Sequence, residues 1–330
     1  MYDYEGNQEA GKQDHYHGKK RRFPFKTGAC AGILSVCPFL RKEKTVGERL
    51  EERRQNMRIG NREFDTEHDI YLMGILNVTP DSFSDGGNYN SLEKAMEHAA
   101  RMIEEGVDII DVGGESTRPG YERISDQEEI ERVVPVIKAL KERFQVPVSV
   151  DTYKSKVAKA AIEAGADLIN DIWGLKADPM MGEVIAKAKL PCVLMHNRDH
   201  SENKTGDLLL DMKADLEETL MLAKKAGISE DAIILDPGVG FGKTYEQNLE
   251  SIARLRELRE MGYPVLLGTS RKSVIGLTID VPAKERDVAT AVTSLYGLWS
   301  GCSFVRVHNV KANREAIAMA KAIDAYEKNA

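Results

Sequence analysis

Phe304-Val-Arg-Val-His308-Asn-Val310 reads as a strand that runs straight into a helix. Alternation along a strand sends Arg306 and His308 to one face. A purely structural strand has no use for a guanidinium and an imidazole aimed the same way; a strand that ends at an anion does. The helix from about Lys311 to Glu327 would turn its N-terminal N–H groups toward the same spot. The stretch is therefore expected to form an anion site, with phosphate as its natural occupant, and the other strands are expected to end around it.

The same strand-then-helix unit repeats back through the chain. Strands are expected at Ile70–Val78, Val107–Gly113, Val146–Asp151, Asp167–Ile172, Pro191–His196, Ala232–Asp236, Pro264–Thr269 and Ser303–Asn309. Helices are expected at Ser91–Gly106, Ser125–Phe144, Lys154–Gly165, Met180–Lys189, Leu208–Gly227, Tyr245–Gly262 and Lys284–Ser300, with the last one following His308. Ser91 is read as a helix N-cap, and Ser125-Asp-Gln-Glu128 has the pattern of a capping box. Gly106, Gly165, Gly227 and Gly262 stand just past helices, where a left-handed residue closes the last turn. The strands are short and rich in Val, Ile and Leu, as they are when both faces are covered. Eight such units in strict alternation specify an α/β fold, a (β/α)8 TIM barrel over 57–330. A doubly wound open sheet normally has fewer units and a glycine fingerprint after its first strand, which Gly74-Ile-Leu-Asn77 is not.

Composition sets the outer bounds. The chain has 330 residues, 42% hydrophobic and 30% charged, with a net charge of −7, which argues against general nucleic-acid binding. No run reaches the roughly 20 apolar residues of a membrane helix. The four cysteines, at 30, 37, 192 and 302, form no CxxC pair, so reduced thiols and a cytoplasmic location are expected. Residues 1–56 differ from the rest: 12 Lys/Arg against 8 Asp/Glu give that segment a positive charge. Lys19-Lys20-Arg21-Arg22 ahead of Gly28–Leu40 faintly resembles the basic and apolar parts of a signal peptide, but it starts late, contains Pro38 and lacks an A-x-A exit. The segment is expected to be a flexible, non-barrel N-terminal extension, or to lie upstream of a natural start at Met57.

A barrel enzyme keeps its site at the C-terminal ends of its strands. Here every strand ends in polar groups: Asn77; Asp111 and Glu115; Asp151; Asn170-Asp171; His196; Asp236; Ser270-Arg-Lys-Ser273; Arg306 and His308. One polar strand end is ordinary, since strands end at solvent; eight together point to a working face. Asp151, Asn170 and Asp236 can accept from and donate to the edge of a flat heterocycle, and Lys272 can serve a ring carbonyl. Met195 offers either a polarisable stacking face or plain core packing. His196 is read as structural or peripheral.

Two connections, Thr79-Pro-Asp-Ser-Phe-Ser-Asp-Gly-Gly87 and Ser116-Thr-Arg-Pro-Gly120, are longer or more ligand-rich than usual βα turns and are expected to close over substrate. Asp236-Pro-Gly-Val-Gly-Phe-Gly-Lys243 lets its backbone approach closely and lets Phe241 project into the cleft, but lacks P-loop spacing. No Ser-His-Asp, Cys-His or HExxH arrangement is present. Oxygen ligands together with a phosphate suit Mg2+, which arrives with its substrate.

Met73-Gly-Ile-Leu-Asn-Val-Thr-Pro-Asp-Ser-Phe-Ser-Asp-Gly-Gly87 and Ile110-Asp-Val-Gly-Gly-Glu-Ser-Thr-Arg-Pro-Gly120 resemble the two long signatures of the dihydropteroate synthase family. Ser149-Val-Asp-Thr, Ile169-Asn-Asp, Met195-His-Asn-Arg, Leu235-Asp-Pro-Gly-Val-Gly-Phe-Gly-Lys, Ser270-Arg-Lys-Ser and Arg306-Val-His follow in that family's order. The resemblance runs from about Met57 to the C-terminus. Asn309 departs from the Asp, and Tyr121 from the Ala, that the family often has there.

The resemblance implies condensation of 6-hydroxymethyl-7,8-dihydropterin diphosphate with p-aminobenzoate, giving 7,8-dihydropteroate and pyrophosphate, in a cytoplasmic homodimer that sulfonamides inhibit. It further implies that Asp151, Asn170, Met195, Asp236 and Lys272 bind the pterin. Asn77, Arg306 and His308 would bind the diphosphate, with Asn77 the direct Mg2+ ligand. Thr117, Arg118, Pro119, Phe241 and Ser273 would form the p-aminobenzoate pocket. Asp85 and Arg118 would lie on the two mobile loops and, with Asp151 and Lys272, take part in catalysis. A related barrel that moves a methyl group from a pterin cofactor to a corrinoid shares the Asp/Asn set but has no diphosphate to hold.

Overall fold

The computed structural model describes residues 56–79, 88–115, 123–198 and 206–327. Eight parallel strands follow one another round a barrel: β3 (Tyr71–Asn77), β4 (Ile109–Gly113), β5 (Val148–Asp151), β6 (Leu168–Asp171), β7 (Cys192–Met195), β8 (Ile233–Asp236), β9 (Leu266–Leu267) and β10 (Phe304–Val307). β10 pairs in parallel with both β3 and β9. The last seam, between β8 and β9, closes through the Leu235–Val265 bridge, where Leu235 N donates to Pro264 O at 2.9 Å. The expected (β/α)8 architecture is the one observed.

Strand alternation sorts the side chains. Outward-facing Leu72, Ile110, Val150, Leu194, Leu235 and Val305 join the core beneath the surrounding helices. Inward-facing positions change character along the barrel axis. At the N-terminal end of the strands they are apolar apart from buried Ser149 on β5: Met73, Ile109, Leu168, Val193, Ile234, Leu266 and Phe304 form one buried cluster. Two residues further on, the same faces carry Ile75, Asp111, Asp151, Asn170, Met195, Asp236, Gly268 and Arg306.

A short hairpin that the sequence pattern did not disclose seals the apolar end. β1 (Asn56–Ile59) and β2 (Arg62–Asp65) pair antiparallel. Their turn needs a left-handed residue, and Gly60 supplies it at φ 59°. Met57, Ile59 and Phe64 enter the apolar cluster, and the Phe64 ring meets Tyr71 edge-on at 4.8 Å. Strands of four residues, half exposed, leave too few alternations to be read in advance.

Several helices differ from expectation. The helix expected at Ser91 starts earlier, α1 (Asn88–Glu104), so Ser91 lies inside it. α2 (Asp126–Arg143) has its Ser125 cap, α3 is Ser155–Glu163, α4 Met181–Ala188 and α5 Leu208–Ala226. The Tyr245–Gly262 helix breaks at Arg254 into α6 (Tyr245–Ala253) and α7 (Leu255–Arg259). A further helix, α8 (Ser273–Ile279), follows β9, before α9 (Asp287–Trp299) and α10 (Val310–Glu327). The four glycines expected as helix stops all have positive φ, from 84° at Gly262 to 106° at Gly165.

Phe64→Ala empties the middle of the apolar end, and we expect a loss of about 3–5 kcal/mol in urea unfolding. The polar mouth lies at the other end of the strands, so activity per folded molecule should stay close to wild type.

Candidate active site

The polar mouth is organised around Arg306. Its Nε donates to Asp111 Oδ2 at 2.6 Å and a terminal nitrogen donates to Asp151 Oδ2 at 2.7 Å. Asn170 Nδ2 donates to the same Asp111 oxygen at 3.1 Å, and Asp111 is fully buried. One cation on β10 thus joins β4 and β5, and Asn170 on β6 is tied in through Asp111. Gly268 keeps the centre open: a Cβ there would lie within 3.9 Å of Lys272 Nζ, Asp236 Oδ2 and Arg306 Cβ.

Asp236 is fixed by the turn that follows it, where Gly238 N donates to Oδ1 at 2.7 Å. Lys272 reaches inward from the residue ahead of α8. Its Nζ donates to Val239 O at 2.5 Å and lies 4.8 Å from the centre of the Phe241 ring. Phe241 and Trp173 border a small apolar cluster of Tyr153, Ile172 and Met195, so Met195 is packed beneath a flat, partly aromatic wall. The sequence set of Asp151, Asn170, Met195, Asp236, Lys272, Phe241 and Arg306 converges at one mouth.

Burial and crowding shift the charges. Burial pushes the Asp151 carboxyl up to about 7, with Asp111 and Glu129 adding to the shift and Arg306 opposing it. Burial likewise raises Asp236, against Lys272. Lys272 is driven down to about 8 by burial while Asp236 holds it up. Arg306 stays above its ordinary value despite burial because Asp111 and Asp151 flank it. The mouth therefore holds an acid and a base that both change charge close to neutrality.

The outer parts differ more from expectation. His308 sits just beyond β10, where its Nδ1 lies 3.0 Å from Ser270 Oγ and its backbone N donates to the same oxygen. The start of α10 does not face an open anion site as expected. Asn309 Oδ1 accepts from Ala312 N at 3.0 Å, and Glu105 accepts from Lys311 N at 3.2 Å, so neighbouring side chains take up these N–H groups. Ser273 is exposed at the first residue of α8. The Asn77 side chain at the end of β3 has no hydrogen-bond partner among the described residues. Asp171 belongs to a turn, accepting from Trp173 N and Leu175 N.

Asp85, Thr117, Arg118 and Pro119 lie outside the described residues. What fastens the second of their loops is visible. Glu115 accepts from Ile124 N, from Tyr153 Oη and from Lys154 Nζ, and Lys154 also pairs with buried Glu129. Glu115 thus ties the two described ends of that loop together.

Asp111 was seen in the sequence only as a polar strand end. Counting by twos from Ile109 would have put it inside beside Arg306. Lys243 was seen only as the last residue of the glycine-rich loop after β8, with no role of its own.

Residues 73–308 match the family described as pterin binding enzyme. A dihydropteroate synthase of Clostridium beijerinckii is 58% identical over 264 residues, 80% of this chain and 97% of that one. The crystal structure of a Clostridium difficile dihydropteroate synthase in the presence of pteroic acid superposes with a TM-score of 0.76 at 48% identity, covering 79% of this chain and 98% of that one. A Yersinia pestis dihydropteroate synthase in complex with a sulfonamide drug superposes with a TM-score of 0.76 at 40% identity, covering 82% and 99%.

Arg306→Met leaves Asp111 and Asp151 buried without their cation. At pH 8 it should cost about 3–5 kcal/mol in urea unfolding. The cost should be smaller at pH 5.5, below the raised titration of Asp151, because the folded variant can then take up a proton there. An equal loss at both pH values would contradict this account of the Arg306 pairing.

Proposed function

The chain belongs to the pterin-binding enzyme family and, within it, to the dihydropteroate synthases, and from that premise we propose how its barrel mouth divides the work. The reaction is the condensation of 6-hydroxymethyl-7,8-dihydropterin diphosphate with p-aminobenzoate, a transferase step of folate biosynthesis. The observation that carries the division is the convergence of Asp151, Asn170, Asp236 and Lys272 beside Arg306 at the strand ends.

The pterin lies flat over Met195 with its polar edge toward Asp151, Asn170 and Asp236, and Lys272 serves its ring carbonyl. Its diphosphate extends toward Asn77, Arg306 and His308. The p-aminobenzoate enters against Phe241 and Ser273, with Thr117, Arg118 and Pro119 closing that side and Asp85 on the other loop. Sulfonamides compete for this second position. The methylene carbon sits next to an electron-rich ring, so the C–O bond to pyrophosphate breaks first and the cation spreads into the pterin. Asp151 and Asp236 offset the positive charge on the ring; Arg306 and His308 stabilise the charge on the leaving group. The amine lone pair then forms the new C–N bond, and the nitrogen sheds its proton to an oxygen of the departing pyrophosphate, which carries it out as the loops open. Closed loops keep water from taking the cation instead.

Mg2+ fits this set as a guest of the substrate. Asn77 offers a neutral oxygen with no hydrogen-bond partner among the described residues, and no cluster of three His, Cys, Asp or Glu among them could hold a metal unaided. Bound with the diphosphate, the ion would neutralise charge on the leaving pyrophosphate.

A homodimer is the assembly we favour. Val288, Val292, Tyr296 and Trp299 form one face of α9, and Val288 and Val292 are 80% and 62% exposed. Met319, Ile323 and Tyr326 extend an apolar surface on α10, which packs against α9. Exposed apolar side chains on two adjacent helices fit a second copy of the chain. The free buried thiols Cys192 and Cys302 accord with a cytoplasmic setting.

Pyrophosphate release from the pterin diphosphate, with and without p-aminobenzoate, tests the reaction order. We expect fast release with p-aminobenzoate and slow release without it, and Asn77→Ala should raise the Mg2+ concentration for half-maximal rate roughly tenfold. Tight pterin binding with no release in either case would favour the methyl-transfer barrels instead. Val292→Glu should shift the protein from dimer to monomer in sedimentation; an unchanged mass would place the interface elsewhere.

A further inference from the structure

Lys243 closes the loop between β8 and α6, and none of the roles above uses it. It is only 8% exposed. Its Nζ donates to Gly238 O at 2.9 Å and to Phe241 O at 3.1 Å, and lies 2.8 Å from His196 Nδ1. Three acceptors surround a group with three N–H bonds, so the ammonium form is fully engaged. His196, at the end of β7, is 1% exposed. An ammonium at Nδ1 requires that nitrogen to be the acceptor, which puts the ring proton on Nε2.

The backbone shows how close the two connections lie. A Cβ on Gly238 would stand 1.9 Å from His196 O, and one on Gly242 would stand 2.2 Å from Arg198 O. Only glycine lets the loop lie flat against the segment after β7, and both positions also have positive φ. The loop is pinned at its two ends as well. Asp236 accepts from Gly238 N in front, while Asn248 accepts from Gly240 N and donates to Thr244 O behind. Between those pins, Lys243 reaches the carbonyl of Phe241 at 3.1 Å.

We propose that Lys243, with His196 as its acceptor, is a positioning residue that fixes the Phe241 ring in the p-aminobenzoate pocket. The inference rests on the reading above that Phe241 lines that pocket. Lys243 touches neither substrate. It acts through Phe241, whose ring in turn borders Lys272 Nζ, so the latch sets one wall of the pocket and the surroundings of a pterin-binding cation.

The charged groups facing Lys243 are Asp236 and Asp215, which favour its ammonium, and Lys272 and Arg198, which oppose it; His196 accepts from it. Burial brings Lys243 down to about 7. His196 is held at about 2 by burial and by Lys243, Arg198 and Lys176, so it stays neutral throughout the working range. As pH rises through about 7, the ammonium becomes an amine, so its bonds to the Gly238 and Phe241 carbonyls lose their charge, while His196 can carry its ring proton on Nδ1 and donate to the amine. The hold on the loop therefore weakens, without breaking, toward alkaline pH.

The test is steady-state kinetics of the full chain at saturating pterin diphosphate with Mg2+, beside thermal melting. Lys243→Met should raise KM for p-aminobenzoate roughly tenfold, with kcat and KM for the pterin diphosphate changed by about twofold or less. Wild type should show a rise in KM for p-aminobenzoate as pH increases through about 7, and Lys243→Met should lack that rise. His196→Gln, which keeps an acceptor, should stay close to wild type, whereas His196→Leu should follow Lys243→Met. If Lys243→Met does not fold, the two His196 variants decide the same question. Phe241→Ala is the control for the underlying reading. A raised KM in Phe241→Ala with a normal one in Lys243→Met overturns the latch alone. A normal KM in Phe241→Ala overturns the pocket reading and the latch with it. A uniform fall in kcat for Lys243→Met, with both KM values unchanged, also overturns the latch.

Discussion

Arg306 bridging two buried carboxylates is the constraint on which the mouth of the barrel depends. Asp111 is fully buried and Asp151 nearly so, and neither could be kept inside as an unpaired anion without a large desolvation cost. The guanidinium meets that cost with a rigid fork that reaches β4 and β5 from β10. Each of the three side chains therefore fixes the others. The geometry that would receive a heterocycle is held before any ligand arrives, so little reorganisation is left for the reaction itself.

Such a layer can exist only because the barrel is sealed elsewhere. The strands place apolar side chains at one end and polar ones two residues later, and hydrogen-bonded backbone surrounds both. The hairpin of β1 and β2 adds Met57, Ile59 and Phe64 to the apolar end, keeping water from the base of the polar layer. Inside the barrel, apolar packing gathers at the hairpin end and charge at the mouth. Burial by this arrangement is also the first cause of the raised carboxyl of Asp151 and the lowered ammonium of Lys272.

The alternation of strands and helices, the left-handed glycine stops and the polar strand ends were all legible because each is a local property of residue order. What stayed hidden depends on partners distant in sequence. Arg306 was read as part of an anion site and Asp151 as part of a heterocycle site; that they form one ion pair follows only from β10 meeting β3 across the closed barrel. The N-terminus of α10 looked open from sequence, yet Asn309 and Glu105 cap it, one of them from the end of α1. Lys243 was legible only as the end of a glycine-rich motif, because its pairing with His196 forms only when the ends of β7 and β8 lie side by side.

The kind of catalysis follows from what the mouth lacks as much as from what it holds. The imidazole of His196 is buried, neutral and occupied by Lys243, so it is not placed to take a proton from a substrate. Lys272 is engaged by Val239 O, and Asp151 is engaged by Arg306. Among the described residues no strong base stands ready, and an aromatic amine attacking a cation needs none. In the binding arrangement proposed above, carboxylates would face the ring and cations the leaving group, which is how separated charge is stabilised. The mouth holds opposite charges a few ångströms apart before any ligand arrives, and the buried pairs that do so are the same ones that order the barrel's interior.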